Sequence, residues 1–390
     1  MGFFSGRVTF ARYRVSGRAP RHFGPEYLEA LVANAAGKQR LASSDGVEVG
    51  WTAGGHILDT RFDLAKNVVN DTLHAAFRVD TERLPADLMR AYYQTELEAS
   101  AKNNPSGLPS ARQKREAREA ARERLEDEAK DGRYLRRKAY EVLWDALSNE
   151  LLVATTAVTV VDRLHAHFEK TFDRKFEPLS AGALAFSLAE LRQQTRNVDD
   201  ASPSVFVPSA PTEEYAWVMD EASRDFAGNE FLLWLWFHLE TVDDTLRLSD
   251  DSEVAAMIAR TLTLECPRGQ TGKESITSEG PTRLPEAKRA VQSGKLPRKL
   301  GLTLVRHDQQ YELTLQAETL AVSGAKLPPP AEESERGRLE ERVTQVRAMT
   351  ETLDLLYDAF GRVRFGDEWA KELAKMQKWL HREDRPRMSA

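Results

Sequence analysis

The chain has 390 residues, enough for two or three domains with cores of their own. An apolar fraction of 41% and a charged fraction of 30% exclude wholesale disorder. A net charge of −6 excludes a uniformly cationic nucleic-acid binder, and no apolar run reaches the roughly 18 to 20 residues that span a bilayer.

Phe3 to Val15 alternates with aromatic and β-branched residues and predicts a strand. Pro25 to Ala36 predicts a helix, with Leu28, Leu31 and Val32 on one face. Val47 to Trp51 and Asp71 to Asp80 predict strands, and Leu73, Ala75, Phe77 and Val79 share one face of the second. A helix opens at Pro85 and runs through Leu88, Tyr92 and Leu97 to a break at Asn103–Gly107. Ser110 to Lys130 has helical composition almost without apolar residues. It is therefore a solvated arm supported by i,i+4 pairs, or a surface awaiting a partner.

Tyr134 to Ala146 alternates again, now with bases and aromatics, and pairs with Leu151 to Thr156 across a Ser148-Asn149 turn. An amphipathic helix over Val158 to Phe172 and a short strand over Phe176 to Leu179 follow. Asp199 to Pro211 reads as a linker, and Phe231 to Phe237 as a buried apolar stretch. Arg268 to Pro285 is loop-like. Ala287 to Gly294 predicts a short helix, and Arg298 to Arg306 and Gln310 to Glu318 predict two strands. Lys326 to Pro330 is a hinge, and Glu335 to Leu380 is helical with Leu339, Val343, Val346, Met349 and Leu353 at 3- and 4-residue spacing.

The predicted class is α+β. Two related sheet-plus-helix subdomains, residues 1–101 and 133–198, flank the charged arm at 102–132. An acidic, partly helical insert spans 199–265, a basic loop and β hairpin 266–326, and a helical region 327–390. The strand–helix order of the two subdomains partly repeats. Cys266 is the single cysteine and fits a reducing cytoplasm. Met1-Gly2-Phe3-Phe4 has neither a signal-peptide pattern nor the spacing for myristoylation.

Charge is strongly segregated. Asp199 to Glu253 holds fourteen acids against Arg224 and Arg247, a local charge of −12. Lys102 to Lys138 carries +5, and Arg283 to Arg306 carries +6. A chain sorted this way can present one basic and one acidic face.

No catalytic motif stands out. Gly269 to Lys273 fails as a P-loop, with Pro267 where the first glycine belongs and Glu274 at the Ser/Thr position. His165 and His167, two apart on a helix, point to different faces and do not chelate together. A nuclease would need clustered carboxylates for magnesium. Asp220, Glu221, Asp225 and Glu230 are candidates, and Glu128-Ala-Lys130 and Glu286-Ala-Lys288 match a nuclease fragment short enough to arise by chance. No cofactor is expected. The remaining signal is donors for phosphate: Arg112, Lys114, Arg115, Arg118 and Arg122 on the arm, then Arg133, Arg136, Arg137 and Lys138, then Lys295, Arg298 and Lys299. Such residues bind a nucleic-acid backbone by charge and hydrogen bonding without reading sequence.

The order of features over Leu84 to Ser180 resembles the RdgC family of bacterial recombination-associated proteins. That order is a Leu84-Pro85 helix, a Lys/Arg/Glu-rich helix, Arg133-Tyr-Leu-Arg-Arg-Lys138, a hairpin, a helix and Phe176-Glu-Pro-Leu-Ser180. Gly50-Trp51, Gly228-Asn-Glu-Phe-Leu-Leu-Trp-Leu-Trp236 and Ser293-Gly-Lys295 with Arg298-Lys-Leu-Gly-Leu302 are similar to further segments of that family. The acidic stretch and the long arm fit its shorter members less well. The resemblance implies a horseshoe-like protomer in a head-to-head homodimer closed into a ring, with double-stranded DNA threading a basic hole. It also implies sequence-independent binding, restraint of RecA-driven strand exchange, and a cytoplasmic, nucleoid-associated location. The apolar stretch near Phe231 and the C-terminal helix are candidate dimer contacts. The alternatives are a metal-dependent exonuclease and an acidic module that mimics DNA.

Overall fold

The computed structural model describes residues 2–37, 46–102, 108–207, 223–267 and 272–381. The chain is α+β: thirteen strands join in one open antiparallel sheet flanked by eleven helices among the described residues. The first half contributes β1 (Val8–Val15), β2 (Val47–Thr52), β3 (Val68–Val69), β4 (Thr72–Glu82), β5 (Leu135–Asp145), β6 (Glu150–Val153) and β7 (Phe176–Pro178). Its helices are α1 (Pro25–Ala33), α2 (Leu64–Asn67), α3 (Ala86–Lys102), α4 (Ala111–Ala129) and α5 (Val158–Phe172). The second half begins with α6 (Ala181–Leu191), α7 (Thr195–Asp199) and α8 (Phe226–Thr241), and adds β8 (Thr245–Arg247), β9 (Glu253–Glu265) and β10 (Lys273–Ser278). It ends with α9 (Pro285–Gln292), β11 (Leu296–Arg306), β12 (Gln309–Gln316), β13 (Val322–Lys326), α10 (Glu335–Arg364) and α11 (Trp369–Leu380).

The strand order is β10-β9-β11-β12-β13-β1-β6-β5-β4-β2, with β3 on β4, β7 beside β1 and β8 on β9. Strands on either side of the arm are direct neighbours. β4 and β5 pair from Thr72↔Asp145 to Glu82↔Leu135, and β1 pairs with β6. The stretches 1–101 and 133–198 therefore build one sheet together, which β1 continues into the second half through β13.

Period-2 alternation sorts the side chains onto two faces. On one, Tyr13, Trp51, Leu73, Phe77, Val142, Trp144 and Val153 pack beneath α1 and α5 through Leu28, Leu31, Leu164 and Phe168. On the other, Val8, Phe10, Leu143 and Leu152 join Leu262, Leu300, Leu302, Leu313 and Val322 beneath α6, α8, α9, α10 and α11. The two halves are thus covered mainly from opposite sides. Phe231, Leu232, Leu233, Leu235 and Phe360 belong to this second core at 0–1% exposure. Burial within the chain accounts for these stretches, which were candidates for dimer contacts.

Two glycines of the motifs have steric reasons. A Cβ at Gly50 would lie 2.4 Å from Ala36 Cα, because Asn34–Ala36 runs along the β2 edge and exchanges hydrogen bonds with Trp51 of 2.9 and 3.0 Å. A Cβ at Gly228 would lie 1.9 Å from the Ala317 carbonyl, where α8 crosses the sheet.

Several predicted elements change. Residues 253–265, expected in a partly helical insert, form the long strand β9. Val254, Ala256, Ile258, Leu262 and Leu264 alternate into the core. Residues 273–278, expected as loop, form β10. The single C-terminal helix is two, α10 and α11, divided at Phe365–Glu368. α10 ties the halves together: Arg342 donates to the carbonyls of Phe3 and Gly6, and Arg347 makes two 2.8 Å bonds to Asp145. No helix of the described residues is long and apolar enough to cross a membrane.

Candidate nucleic-acid interface

The arm is an antiparallel helical hairpin. Ala117, Ala121, Leu125 and Ala129 recur every four residues on α4 and are buried, whereas α3 has no buried residue. The two helices pack chiefly on each other. A capping box between Ser110 and Gln113 starts α4. Lys114, Arg118 and Arg122 form a second four-residue row beside the buried one, exposed along the arm together with Arg112 and Arg115. Arg112 pairs with Glu116 (2.7 Å) and Arg122 with Glu126 (2.6 Å). Both are exposed i,i+4 pairs, which contribute little to stability and yield readily to a phosphate. Lys114, Arg115 and Arg118 make no ion pair among the described residues.

At the root of the arm, Arg133 is exposed and held by Asp131 at 2.6 Å. β5 then separates the expected donor run. Arg136 and Lys138 lie opposite Thr81 and Val79 on the α1/α5 face, while Arg137 lies opposite Asp80 on the other. Arg136 and Lys138 are exposed and make no ion pair among the described residues. Arg137 approaches Asp80 at 3.7 Å, and Asp80 also accepts from buried Arg78 at 2.9 Å.

The segment 283–306 departs furthest from expectation. Lys295 is buried at 5% exposure and paired with Glu274. Arg298 is half-buried and donates to Glu318 at 2.9 Å and to Glu265 at 3.1 Å. Lys288 donates to Glu240 at 2.6 Å, and Arg306 bonds Asp250 and Glu351. The basic segment thus spends most of its charge on acids, two of them from the acidic stretch 199–253. Lys299 alone of the three expected donors there is exposed, beside Thr263 and Gln316.

Lys299 shares its face with Arg136 and Lys138, as the register from β11 through β12, β13, β1 and β6 to β5 requires. Five strand spacings across the sheet, with an offset of four to six residues along β5 because Lys299 is level with Val142, put these groups about 28 to 31 Å apart. Across β9 to β13 this face holds Ala255, Met257, Arg260, Thr303, Val305, Gln310, Glu312, Thr314, Ser323 and Lys326, with Glu312 paired to Arg260 at 2.8 Å and to Lys326 at 3.3 Å, and neither core draws on it. Met257 there is 54% exposed.

The acids of the nuclease alternative are placed differently. Glu230 is 1% exposed, ion-paired with Arg364 and bonded by the Ser204 amide at 2.6 Å. Asp225 accepts from the Gly182 amide at 3.0 Å. Asp220 and Glu221 lie outside the described residues, as do Gly269, Gln270 and Thr271. Lys130 pairs with Asp127. Among the described residues no group of three His, Cys, Asp or Glu side chains is placed to hold a metal.

His167 is a core residue stacked near Trp51 and Phe77, with ring centroids 5.5 and 5.6 Å away. Burial pushes it down to about 4. A histidine ordinarily titrates near 6.5, so the unfolded chain takes up the proton first as pH falls. The stabilisation is complete above about pH 6.5 and declines toward pH 4, by about 2 kcal/mol between pH 7 and 5. Urea titrations of wild type and His167→Gln at both pH values should show this decline shrinking in the variant. An unchanged decline would assign it to other groups.

No family model matches the chain, and no curated protein matches it.

Proposed function

We propose that the chain binds double-stranded DNA by its backbone, without reading sequence, and acts on DNA recombination rather than catalysing a reaction. The observation that carries this reading is the open sheet face across β9–β13. It is left uncovered by helices, carries hydroxyl, amide and charged side chains among Ala255, Met257 and Val305, and lies on the same side of the sheet as Arg136 and Lys138. An uncovered face half a sheet wide needs a partner or a polar surface. This one is mixed: Arg260 and Lys326 share Glu312, and exposed Lys299 with neighbouring hydroxyl and amide groups can meet sugar and phosphate. The arm adds Lys114, Arg115 and Arg118, which make no ion pair among the described residues.

The resemblance to the RdgC family supports the same reading and extends it. Two horseshoe-like protomers close into a ring around the duplex and restrain RecA-driven strand exchange in the nucleoid. The separation of about 28 to 31 Å between Lys299 and the Arg136/Lys138 pair is within one helical turn, about 34 Å, so one duplex can meet both.

Binding should be measured on two unrelated linear duplexes and on a covalently closed circle, across a salt series. The two linear duplexes should bind alike and lose affinity steeply with salt. The closed circle should bind more weakly, since a ring loads over ends. A strong preference between the linear duplexes overturns the backbone reading, and equal binding of linear and closed DNA overturns the ring.

A further inference from the structure

The arm leaves the sheet between β4 and β5, and its root holds one carboxylate with four partners. Glu128, on the last turn of α4, accepts from the Tyr92 hydroxyl of α3 at 2.5 Å and from the Tyr134 hydroxyl, just before β5, at 3.0 Å. Each phenol takes a different carboxylate oxygen. Arg124 lies over the Tyr92 ring at 4.2 Å and within 4.0 Å of Glu128, and Arg133 approaches Glu128 from the strand side at 4.0 Å. Hydrogen bonds from Tyr92 and then Tyr134 hold the Glu128 carboxyl below the usual carboxylate range. The Arg83 amide bonds the Tyr134 carbonyl at 3.1 Å, so Tyr134 is itself tied to the end of β4.

Among the described residues the rest of the arm shows no comparable anchor to the sheet. Its helices pack chiefly on each other, through a stripe of alanines and Leu125. Tyr134 is thus the point at which Glu128 grips the sheet. A rigid hairpin of 17 and 19 residues turns a small change at its root into a large displacement of Lys114, Arg115 and Arg118.

We propose that Glu128 is a positioning residue: by joining Tyr92 to Tyr134 it latches the arm at one angle to the sheet, so that the arm donors and the Arg136/Lys138 pair meet the same duplex. Its functional half rests on the duplex-binding reading. Released, the arm keeps its charges but must be ordered again at each binding event.

The test pairs a distance with an affinity. Spin labels on cysteines at Ala120→Cys and Gln310→Cys, two exposed sites on the arm and on the sheet, report the angle; Cys266 is buried and stays. The wild-type background should give one narrow distance distribution. Glu128→Leu should broaden it, and so should Tyr92→Phe combined with Tyr134→Phe, which keeps every charge. Both variants should bind a linear duplex about tenfold more weakly at an unchanged salt slope, because no phosphate contact is removed. Thermal melting of each variant confirms that the sheet remains folded. Unchanged, narrow distributions in both variants overturn the latch, and broadened distributions with undiminished affinity overturn its role in positioning the donors on the duplex. The distance readout needs no DNA, so the latch and the duplex-binding reading fail separately.

Discussion

Replacing Arg364 by alanine should cost about 3–5 kcal/mol of folding stability, the range for removing one partner of a buried ion pair. Arg364 and Glu230 have side-chain exposures of 6% and 1% and bond directly. The guanidinium also donates to the Ser202 carbonyl at 2.7 Å and lies 4.8 Å from the centre of the Trp369 ring. Glu230 accepts from the Ser204 amide, and Trp369 donates to the Ser204 hydroxyl at 3.0 Å. The pair therefore fastens the segment 201–207 to α8, α10 and α11 together. Without Arg364, a carboxylate inside the second core keeps one amide donor and loses its counter-charge. Replacing both members, Arg364→Met with Glu230→Leu, should recover most of the loss, because it removes the buried charge as well as its partner. Urea unfolding monitored by tryptophan fluorescence measures both. A loss below about 1 kcal/mol for Arg364→Ala would mean that Glu230 reaches water.

Much of the first half was legible from period alone. Leu73, Ala75 and Phe77 and the alternation over 134–146 place β4 and β5 within a few residues. The pairing of these strands across the arm was not legible, since nothing local to 72–82 or 135–145 names its neighbour. β9 carried its signal openly in Val254, Ala256, Ile258, Leu262 and Leu264. Its proximity to a run of acids drew it into an acidic insert instead. Period 2 also separates Arg137 from Arg136 and Lys138, a consequence available from the strand prediction itself. Lys295 and Arg298 were misplaced for a tertiary reason. Their partners Glu274, Glu265 and Glu318 come from β10, β9 and the turn after β12, and the first two strands were expected as loop and helix. Charge segregation along a chain states what can attract what. Here it brought the acidic and basic segments together inside the molecule as well as onto its surface.

The largest expected effect on binding comes from five of the six expected donors that make no ion pair among the described residues, Lys114, Arg115, Arg118, Arg136 and Lys138, with Lys299 left in place. Each phosphate contact contributes a salt slope of about −0.9, so neutralising all five should flatten the slope by about 4.5. At 0.1 M salt that amounts to a loss of about four orders of magnitude in affinity for any duplex sequence. The exposed positions tolerate glutamine, so the variant should fold as wild type does. Arg137→Ala serves as the control, since Arg137 faces Asp80 on the opposite side of the sheet and should leave the slope nearly unchanged. The deciding measurement is the slope of log affinity against log salt for wild type, Arg137→Ala and the five-residue variant on one linear duplex. Backbone binding through these donors predicts a steep slope for the first two and one flatter by about 4.5 for the third. A wild-type chain that binds no duplex at low salt, or a five-residue variant that keeps the wild-type slope, would contradict it.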